Sequence, residues 1–278
     1  MLRQRLLQGA TGRLTVTFLD GETPVDAGAV TAHVTRDDGT DVLPEGTEAT
    51  AVDERTGEYF VELSAAATAE LDQLTAVWVS PTRGRVTTRA DVAGGFYVSL
   101  AEIRATKDLD DTGTYPTWRL EQARMVAEDT YEQHGPAFVP RYTRERVDNF
   151  GLPMLTRRPV RRLRSIVHGT ELIDVAGVSF SGIGALRYGY GRLPAGALEV
   201  AYEYGHDGFP PERLRDAMLA HIRFQLVKRE ARMFDTATTM TADGATFTLA
   251  QPGERRPTGI PMVDAVYLSY SSDLPAIA

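Results

Sequence analysis

Apolar and polar residues alternate along most of the first hundred positions. The stretch 12–20, GRLTVTFLD, places Leu14, Val16 and Phe18 at every second position, with Thr between them. The same period of two recurs in four further segments, 29–39, 57–64, 74–81 and 85–92. Turns rich in Asp and Gly separate these segments, and short strands at near-regular spacing are typical of a sandwich. The pattern therefore predicts an antiparallel β-sandwich over residues 1–98.

The segment 74–81, LTAVWVSP, contains three consecutive large apolar residues, Val77, Trp78 and Val79. Side chains on a strand point alternately to its two faces, so these three cannot all reach the same core. We expect Val77 and Val79 to point inward and Trp78 to lie on the other face.

A helical period replaces the alternation after residue 98. The segment 117–135 carries apolar residues at i, i+3, i+7 and i+11, which are Leu120, Ala123, Ala127 and Tyr131. We expect this face to be widened by Trp118, Met125 and Val126. Ser99 and Glu102 have the spacing of a capping box, which predicts a short helix at the junction. Residues 99–278 thus predict an α+β domain with two main helices, short β-strands and a C-terminal helical arm, so that the whole chain is multidomain.

The second main helix, 211–233, has two apolar stripes. The first comprises Leu214, Ala217, Met218 and His221; the second comprises Leu219, Ile222 and Leu226, extended by Phe224 and Val227. A helix that is apolar on more than one side is either buried centrally or shared between a core and a partner. The sequence leaves both possibilities open.

Charge is unevenly distributed along the 278 residues, whose formal net charge is -8. Residues 1–100 hold 15 Asp and Glu against 8 Arg and no Lys, whereas 141–164 hold eight Arg against two acidic residues. The overall charge argues against a chain that binds nucleic acid throughout. The arginine-rich segment is open to three interpretations: protein contact within or between copies, a solvated strand face, or nucleic-acid contact.

Catalytic and metal-binding motifs are missing from the sequence. The chain has no Cys, its five His follow no metal-ligand spacing, and it contains neither a Walker loop nor a dinucleotide loop. His206 and Asp207 lie where a strand-like run meets a helix, but Asp-Gly at this point favours a turn. We therefore predict no enzyme activity, no cofactor and no metal; a hydrolase that uses His206 and Asp207 is the competing hypothesis. No run approaches the roughly 18 apolar residues of a membrane helix, and we expect no export signal.

Four segments of the second half occur in a distinctive order. They are 117–148, TWRLEQARMVAEDTYEQHGPAFVPRYTRERVD; 156–172, TRRPVRRLRSIVHGTEL; 198–222, LEVAYEYGHDGFPPERLRDAMLAHI; and 257–271, PTGIPMVDAVYLSYS. Together they resemble the head-to-tail connector (adaptor) proteins of long-tailed bacteriophages, over residues 99–278. The sandwich at 1–98 looks like an immunoglobulin-like (Ig-like) domain added to such a protein.

This resemblance implies a virion structural protein that forms a ring, normally of twelve copies, in the neck between head and tail. The ring would dock beneath the portal protein, continue the channel for packaged DNA, and present a surface to a stopper or tail-terminator protein. The N-terminal domain would be free to contact the capsid. Assembly would take place in the host cytoplasm.

The resemblance also suggests which residues make contacts. The expected ring interface comprises Leu219, Ile222, Leu226, Arg157, Arg158, Arg161 and Arg162. An arm at 236–278 is expected to enter a portal groove through Ile260, Val263, Val266 and Leu268. The alternative function is a carbohydrate- or surface-binding β-sandwich module on another virion structural protein, for which Trp78, Tyr59 and Phe60 would have to be exposed on one sheet face.

Overall fold

The computed structural model describes residues 3–53, 55–182, 184–189, 191–230, 239–242, 245–248 and 257–270. The protein is mostly β, with several sheets and some helices. Its chain forms two compact units. Unit 1 comprises Met1–Gly95 and Val139–His206, and unit 2 comprises Phe96–Phe138 and Asp207–Ala278. The predicted division at residue 98 into a sandwich and a connector domain stays a prediction, because the compact units combine segments from both sides of that position.

The N-terminal part of unit 1 contains two packed sheets. Its strands are β1 (Arg3–Leu7), β2 (Gly12–Thr17), β3 (Leu19–Asp20), β4 (Thr23–Pro24), β5 (Thr31–Thr35), β6 (Asp41–Glu48), β7 (Thr50–Ala51), β8 (Glu58–Leu63), β9 (Asp72–Ser80) and β10 (Gly84–Ala93). One sheet has the order β1-β10-β9-β5-β6, the other has the order β2-β8-β7, and β3 pairs with β4. Neighbouring strands of the two sheets are antiparallel except β1, which runs parallel to β10.

A single core lies between these two sheets. Leu14, Val16 and Phe18 are all buried, as the alternation predicted, and they pack in one cluster with residues of β9 and β10. The open edge of β2 is covered by the side-chain amide of Gln4. This amide donates to the Thr15 carbonyl at 2.6 Å and accepts from the Thr15 N–H at 3.1 Å, so it takes the place of a neighbouring strand.

The prediction for Trp78 is wrong. Trp78 is completely buried in the core, whereas Val79 is 44% exposed. The inward positions of β9 are those of Leu74, Ala76 and Trp78, two residues apart. The Trp78 Nε1–H donates to the Thr88 hydroxyl at 2.9 Å, which allows the indole to be buried without an unsatisfied donor.

The second part of unit 1 is built around one sheet. The strands are β11 (Arg141–Asn149), β12 (Val160–His168), β13 (Glu171–Ile173), β14 (Val178–Phe180), β15 (Leu186–Tyr188) and β16 (Gly196–Tyr204). The sheet, which we call the arginine sheet, has the order β11-β16-β12-β13, and β14 and β15 form a separate hairpin. A 3-10 turn at Val175–Gly177 precedes that hairpin.

Unit 2 contains the helices. They are α1 (Leu100–Ala105), α2 (Thr117–Glu132), α3 (Glu212–Glu230) and α4 (Pro261–Ser269), and strands β17 (Thr239–Ala242) and β18 (Ala245–Thr248) pair with each other. The predicted capping box is confirmed, since Ser99 accepts from the Glu102 N–H and Glu102 accepts from the Ser99 N–H. Within the described ranges, no helix combines the length and hydropathy that a membrane crossing requires.

Helix α2 buries the predicted apolar line but not the predicted wider face. Leu120 and Ala127 are completely buried, whereas Trp118 is 43% exposed and Val126 is 45% exposed. At 3.6 residues per turn, Trp118 and Val126 lie about 160° and about 120° around the axis from Leu120. They are therefore too far around the helix to join its buried side.

Candidate assembly surfaces

One side of α3 belongs to the core of unit 2. Leu214, Met218 and Ile222 are completely buried, and Leu226 is 2% exposed. These four residues are spaced by four positions, so they form one row along the helix. The row faces α2 and α4, both of which pack against α3.

The adjacent side of α3 carries an apolar groove of about 480 Å³. Its lining comprises Thr106, Asp216, Leu219, Ala220, Arg223, Phe224, Val227 and Ile260. The polar part of the lining is held in place, because Arg223 donates to the Asp108 carboxylate at 2.5 Å and to the Lys107 carbonyl at 3.1 Å. Leu219 is half-buried and Phe224 is 37% exposed, so apolar surface remains accessible there.

The expected ring-interface residues on α3 therefore differ in burial, because Leu219 lies at the border between the buried row and the groove. Leu219 lines the groove, whereas Ile222 and Leu226 lie in the row that packs inside unit 2. The sequence placed all three on one stripe because their spacings of three and four residues are both compatible with one helical face. Their assignment to a ring interface stays a prediction.

Helix α4 is amphipathic and packs against α3. Of the expected arm residues, Val263 is 1% exposed and Val266 is 9% exposed, while Ile260 and Leu268 are half-buried. Met262, on the other side of α4, is 83% exposed. Portal contact through these four residues stays a prediction, and contact through Val263 and Val266 requires that α4 first leave its place in unit 2. The other parts of the predicted arm, 236–238, 243–244, 249–256 and 271–278, lie outside the described residues.

The TGIP segment before α4 builds the start of that helix. The Asp264 carboxylate accepts from the Thr258 N–H at 2.8 Å and from the Thr258 hydroxyl at 2.7 Å. Gly259 has a φ of 73°, which favours glycine, and Pro261 occupies the first turn, where a missing N–H costs nothing. The sequence motif is thus explained by local helix capping.

A buried polar contact joins α3 to α4. The His221 Nδ1 lies 3.2 Å from the Tyr267 hydroxyl, and its Nε2 lies 2.8 Å from the Gln225 Nε2. Burial lowers the pKa of His221 to about 4, although the nearby Asp264 acts in the opposite direction. The imidazole is therefore neutral at pH 7, as expected for a packing residue. Tyr267 is completely buried and makes an edge-to-face contact with Tyr131 of α2.

In unit 1, arginines of the arginine sheet pair with acidic residues in loops of the N-terminal part and with one acidic residue of β16. Arg144 Nε lies 2.6 Å from the Asp37 carboxylate. Arg164 bridges Glu70 at 2.8 Å and Glu203 at 2.6 Å, and its hydrogen bond lowers the pKa of the Glu70 carboxyl. Pairing within the chain, one of the three interpretations of the arginine-rich segment, is therefore observed for these two residues.

The four arginines expected at a ring interface lie before and within β12, and their assignment stays a prediction. Arg157, Arg158 and Arg161 are half-buried, and Arg162 is exposed. The backbone N–H of Arg157 donates to the Tyr202 hydroxyl at 3.0 Å, which fixes the segment that enters β12. The side chains of Arg157 and Arg161 make further contacts within the chain.

The corner before α3 contains the two residues of the hydrolase hypothesis, and that hypothesis gains no support from metal-site geometry among the described residues. His206 and Asp207 are both exposed and both make contacts within the chain. Among the described residues, no group of three His, Asp or Glu side chains is arranged to hold a metal ion. The same corner contains a feature that sequence analysis missed, because Phe209 is 94% exposed. Its position between Gly208 and Pro210 was the available signal, since such a loop offers a large side chain little cover.

Comparison with known proteins gives limited information. No family model matches the chain, and no curated protein matches it. A crystal structure of the ZIG-8–RIG-5 IG1–IG1 heterodimer is 12% identical, covers 32% of this chain and 80% of its own, and has a TM-score of 0.22. A crystal structure of the ZIG-8 IG1 homodimer is 11% identical, covers 32% of this chain and 77% of its own, and has a TM-score of 0.21. At such TM-scores these similarities carry no argument about the fold or the function.

Proposed function

We propose that the protein is a ring-forming head-to-tail adaptor of a bacteriophage virion, which joins the portal to the stopper or tail and continues the DNA channel. In this proposal residues 99–278 are the connector domain and residues 1–98 are an added Ig-like domain. The protein acts by assembly and catalyses no reaction.

The observation that carries the proposal is the groove on α3. The half-buried Leu219 and Val227 and the exposed Ala220 and Phe224 present accessible apolar surface beside the buried row of the helix. Apolar surface that stays accessible on a folded protein is typical of an interaction site. A helix that serves a core on one side and a partner on the other is what ring assembly requires of each copy.

The segments that resemble the connector family also have clear structural roles, which supports the proposal. The strand-corner-helix segment 198–222 spans β16 and the first half of α3, and the TGIP segment caps α4. Helices α2, α3 and α4 pack together through Tyr131, Tyr267 and His221. The four segments that resemble the family thus contribute helices α2, α3 and α4 of unit 2 and strands β11, β12 and β16 of the arginine sheet.

The proposal is tested with the purified full chain. Sedimentation velocity and negative-stain microscopy are expected to show closed rings, either with the chain alone or after addition of portal assemblies. A chain that remains monomeric at every concentration and binds no portal assembly would contradict the proposal.

The contact with the portal is tested separately on the exposed side of α4. Met262→Asp adds a charge at a position that is 83% exposed, so the fold is expected to remain intact. If α4 contacts the portal in its present position, this variant binds portal assemblies at least tenfold more weakly. Unchanged binding would show that this side of α4 is not the contact.

The alternative function, a carbohydrate- or surface-binding module, requires three exposed aromatic residues on one sheet face, and these residues are not exposed. Trp78 and Tyr59 are buried in the core. Phe60 is half-buried and is covered by the Arg13 guanidinium, which lies 4.4 Å from the ring centroid. These three aromatic residues therefore offer no open platform for stacking against a sugar.

A further inference from the structure

Phe209 is one of the most exposed large apolar side chains of the described residues, at 94%. It lies in the loop between β16 and α3, and it is followed by Pro210, which is buried, and Pro211, which is half-buried. The rings of these two prolines fix backbone φ angles, so the loop holds Phe209 outward with little freedom to rearrange. Because apolar surface is driven out of water, an aromatic ring held in this position is suited to insertion into a partner.

The α3 groove is a suitable receptor for such a ring. Its volume is about 480 Å³, and its apolar lining includes Leu219, Phe224, Val227 and Ile260. A pocket of a few hundred Å³ is in the range that accepts one compact apolar group. Ala220 also lines the groove, and its small, exposed side chain leaves room for an incoming ring.

The charges around the two features are complementary. Asp207 and Glu212 lie on either side of Phe209 along the chain, and the groove contains the cation Arg223. The groove also contains the anion Asp216. Near Phe209, the exposed cation Arg213 follows Glu212, and from an incoming copy it could pair with Asp216. Arg223 is already paired with Asp108 of its own copy, so the charge match that favours one orientation of docking is that of the incoming Arg213 with Asp216.

The two features cannot meet within one copy. Phe209 precedes α3, whereas the groove extends along that same helix from Asp216 to Val227. Between Glu212 and Arg223 a helix rises about 16 Å, at 1.5 Å per residue, and a rigid helix cannot bring its own start onto its middle. Two different patches on each copy define a heterologous contact, which closes into a ring when the rotation allows it.

We infer that Phe209 of one copy inserts into the α3 groove of the next copy, where it contacts Leu219, Phe224 and Val227. This inference rests on the proposed ring and names the contact that closes it. In this contact the receiving surface consists of groove residues and does not include Ile222 and Leu226. The inserted residue, Phe209, was not indicated by the sequence analysis.

Cysteine cross-linking tests the inference directly, because the natural chain contains no Cys. Gly208→Cys places a thiol beside Phe209 without removing the ring, and a Cβ at Gly208 would have nothing within 4 Å. Ala220→Cys places the second thiol in the groove at an exposed position. When the two single variants are mixed and oxidised, a disulfide-linked pair is expected as the main product.

The matched control uses Leu152→Cys in place of Gly208→Cys. Leu152 is 51% exposed and stands beside Phe150, which is 92% exposed, so this variant presents an equally prominent aromatic residue with a nearby thiol. The control is expected to give no pair with Ala220→Cys above the level of random collision. If it gives the pair and Gly208→Cys does not, Phe150 is the inserted residue and the inference is wrong.

Assembly measurements separate failure of the inference from failure of the proposed ring. Phe209→Asp is expected to weaken association between copies on the order of thirtyfold, as for an interface hot spot, whereas Phe150→Asp should change it by less than about twofold. If rings form but neither Phe209→Asp nor the Gly208–Ala220 cross-link has the expected effect, the inference fails and the adaptor proposal stands. If the natural chain never associates, both fail.

Discussion

The contacts that stabilise the inside of unit 1 differ in kind from those that stabilise the inside of unit 2. In unit 1 the arginine sheet meets the N-terminal sheets through partly exposed ion pairs, such as Arg164 with Glu70 and Arg144 with Asp37. In unit 2 the helices pack through buried side chains, among which Tyr267 is completely buried and His221 is 5% exposed. Ion pairs near water are screened by salt, whereas buried neutral groups are sensitive to any change that would place a charge among them. We therefore expect salt to destabilise unit 1 and acid to destabilise unit 2.

The largest expected effect comes from truncation of Tyr267. Tyr267→Ala removes a fully buried aromatic ring between α2, α3 and α4, so we expect the free energy of unfolding of unit 2 to fall by about 3–5 kcal/mol. Urea denaturation followed by circular dichroism measures the change. Met262→Ala on the same helix, where the side chain is 83% exposed, should cost less than about 0.5 kcal/mol. Equal effects of the two variants would show that α4 does not pack as described.

Acid should act on unit 2 through His221. The pKa of this imidazole is about 4 in the folded chain against an ordinary 6.5, so the unfolded chain binds a proton first as the pH falls. The contribution of His221 to the free energy of unfolding should be constant above about pH 6.5, decrease by about 3 kcal/mol between pH 6.5 and 4, and level off below pH 4.

The control for this pH dependence is His221→Gln. Glutamine keeps a neutral polar group but cannot bind the proton, so the decrease between pH 6.5 and 4 should shrink. The groups that face His221 are Tyr267, Gln225 and Asp264, of which only the last is a carboxyl. A variant that retains the full decrease would assign it to carboxyl groups elsewhere.

Salt should act on unit 1 through Arg164. Arg164→Gln removes the partner of Glu203, whose side chain is only 12% exposed, and that of the more exposed Glu70. We expect a loss of about 1–2 kcal/mol in the free energy of unfolding of unit 1, and this loss should become smaller in 1 M salt. Arg146→Gln, an exposed residue of the same sheet, is the matched control and should cost less than about 0.5 kcal/mol. If the loss of unfolding free energy in Arg164→Gln did not depend on salt, it would have to come from lost packing of the aliphatic part of the Arg164 side chain.

The smallest expected effect concerns the helix cap at the start of α1. Ser99→Ala removes the hydroxyl that accepts from the Glu102 N–H, and it should lower the stability of unit 2 by about 0.5–1 kcal/mol. Ser99→Thr keeps the acceptor and should recover most of the loss. Thermal melting of the two variants beside the natural chain distinguishes these outcomes. No difference between alanine and threonine would mean that the cap is satisfied by solvent.

The sequence predicted elements better than it predicted which side of an element is covered. The period of 3.6 found the buried line of α2 from Leu120 to Tyr131, because a single row of apolar residues has one interpretation. Trp78 was misplaced because a run of three apolar residues fits either face of a strand, and only the register with neighbouring strands decides. Local pattern contains no information about such register.

The candidate surfaces show the same limit. Leu219 lines the groove whereas Ile222 and Leu226 are buried, and this difference depends on where α2 and α4 pack against α3. Phe209 could not be identified by periodicity, because it belongs to no repeating element. Its exposure follows from the turn at Asp207 and Gly208 and from the start of α3, which are features of a single loop.

The side-chain amide of Gln4 on the edge of β2 has a consequence for solubility. An uncovered strand edge offers hydrogen bonds to any extended chain nearby, and this is a common route to sheet-to-sheet aggregation. At Thr15 those bonds are already occupied by a group of the same chemistry as a peptide bond. An extended segment of another chain could therefore pair with β2 at Thr15 only after it displaced the Gln4 side chain.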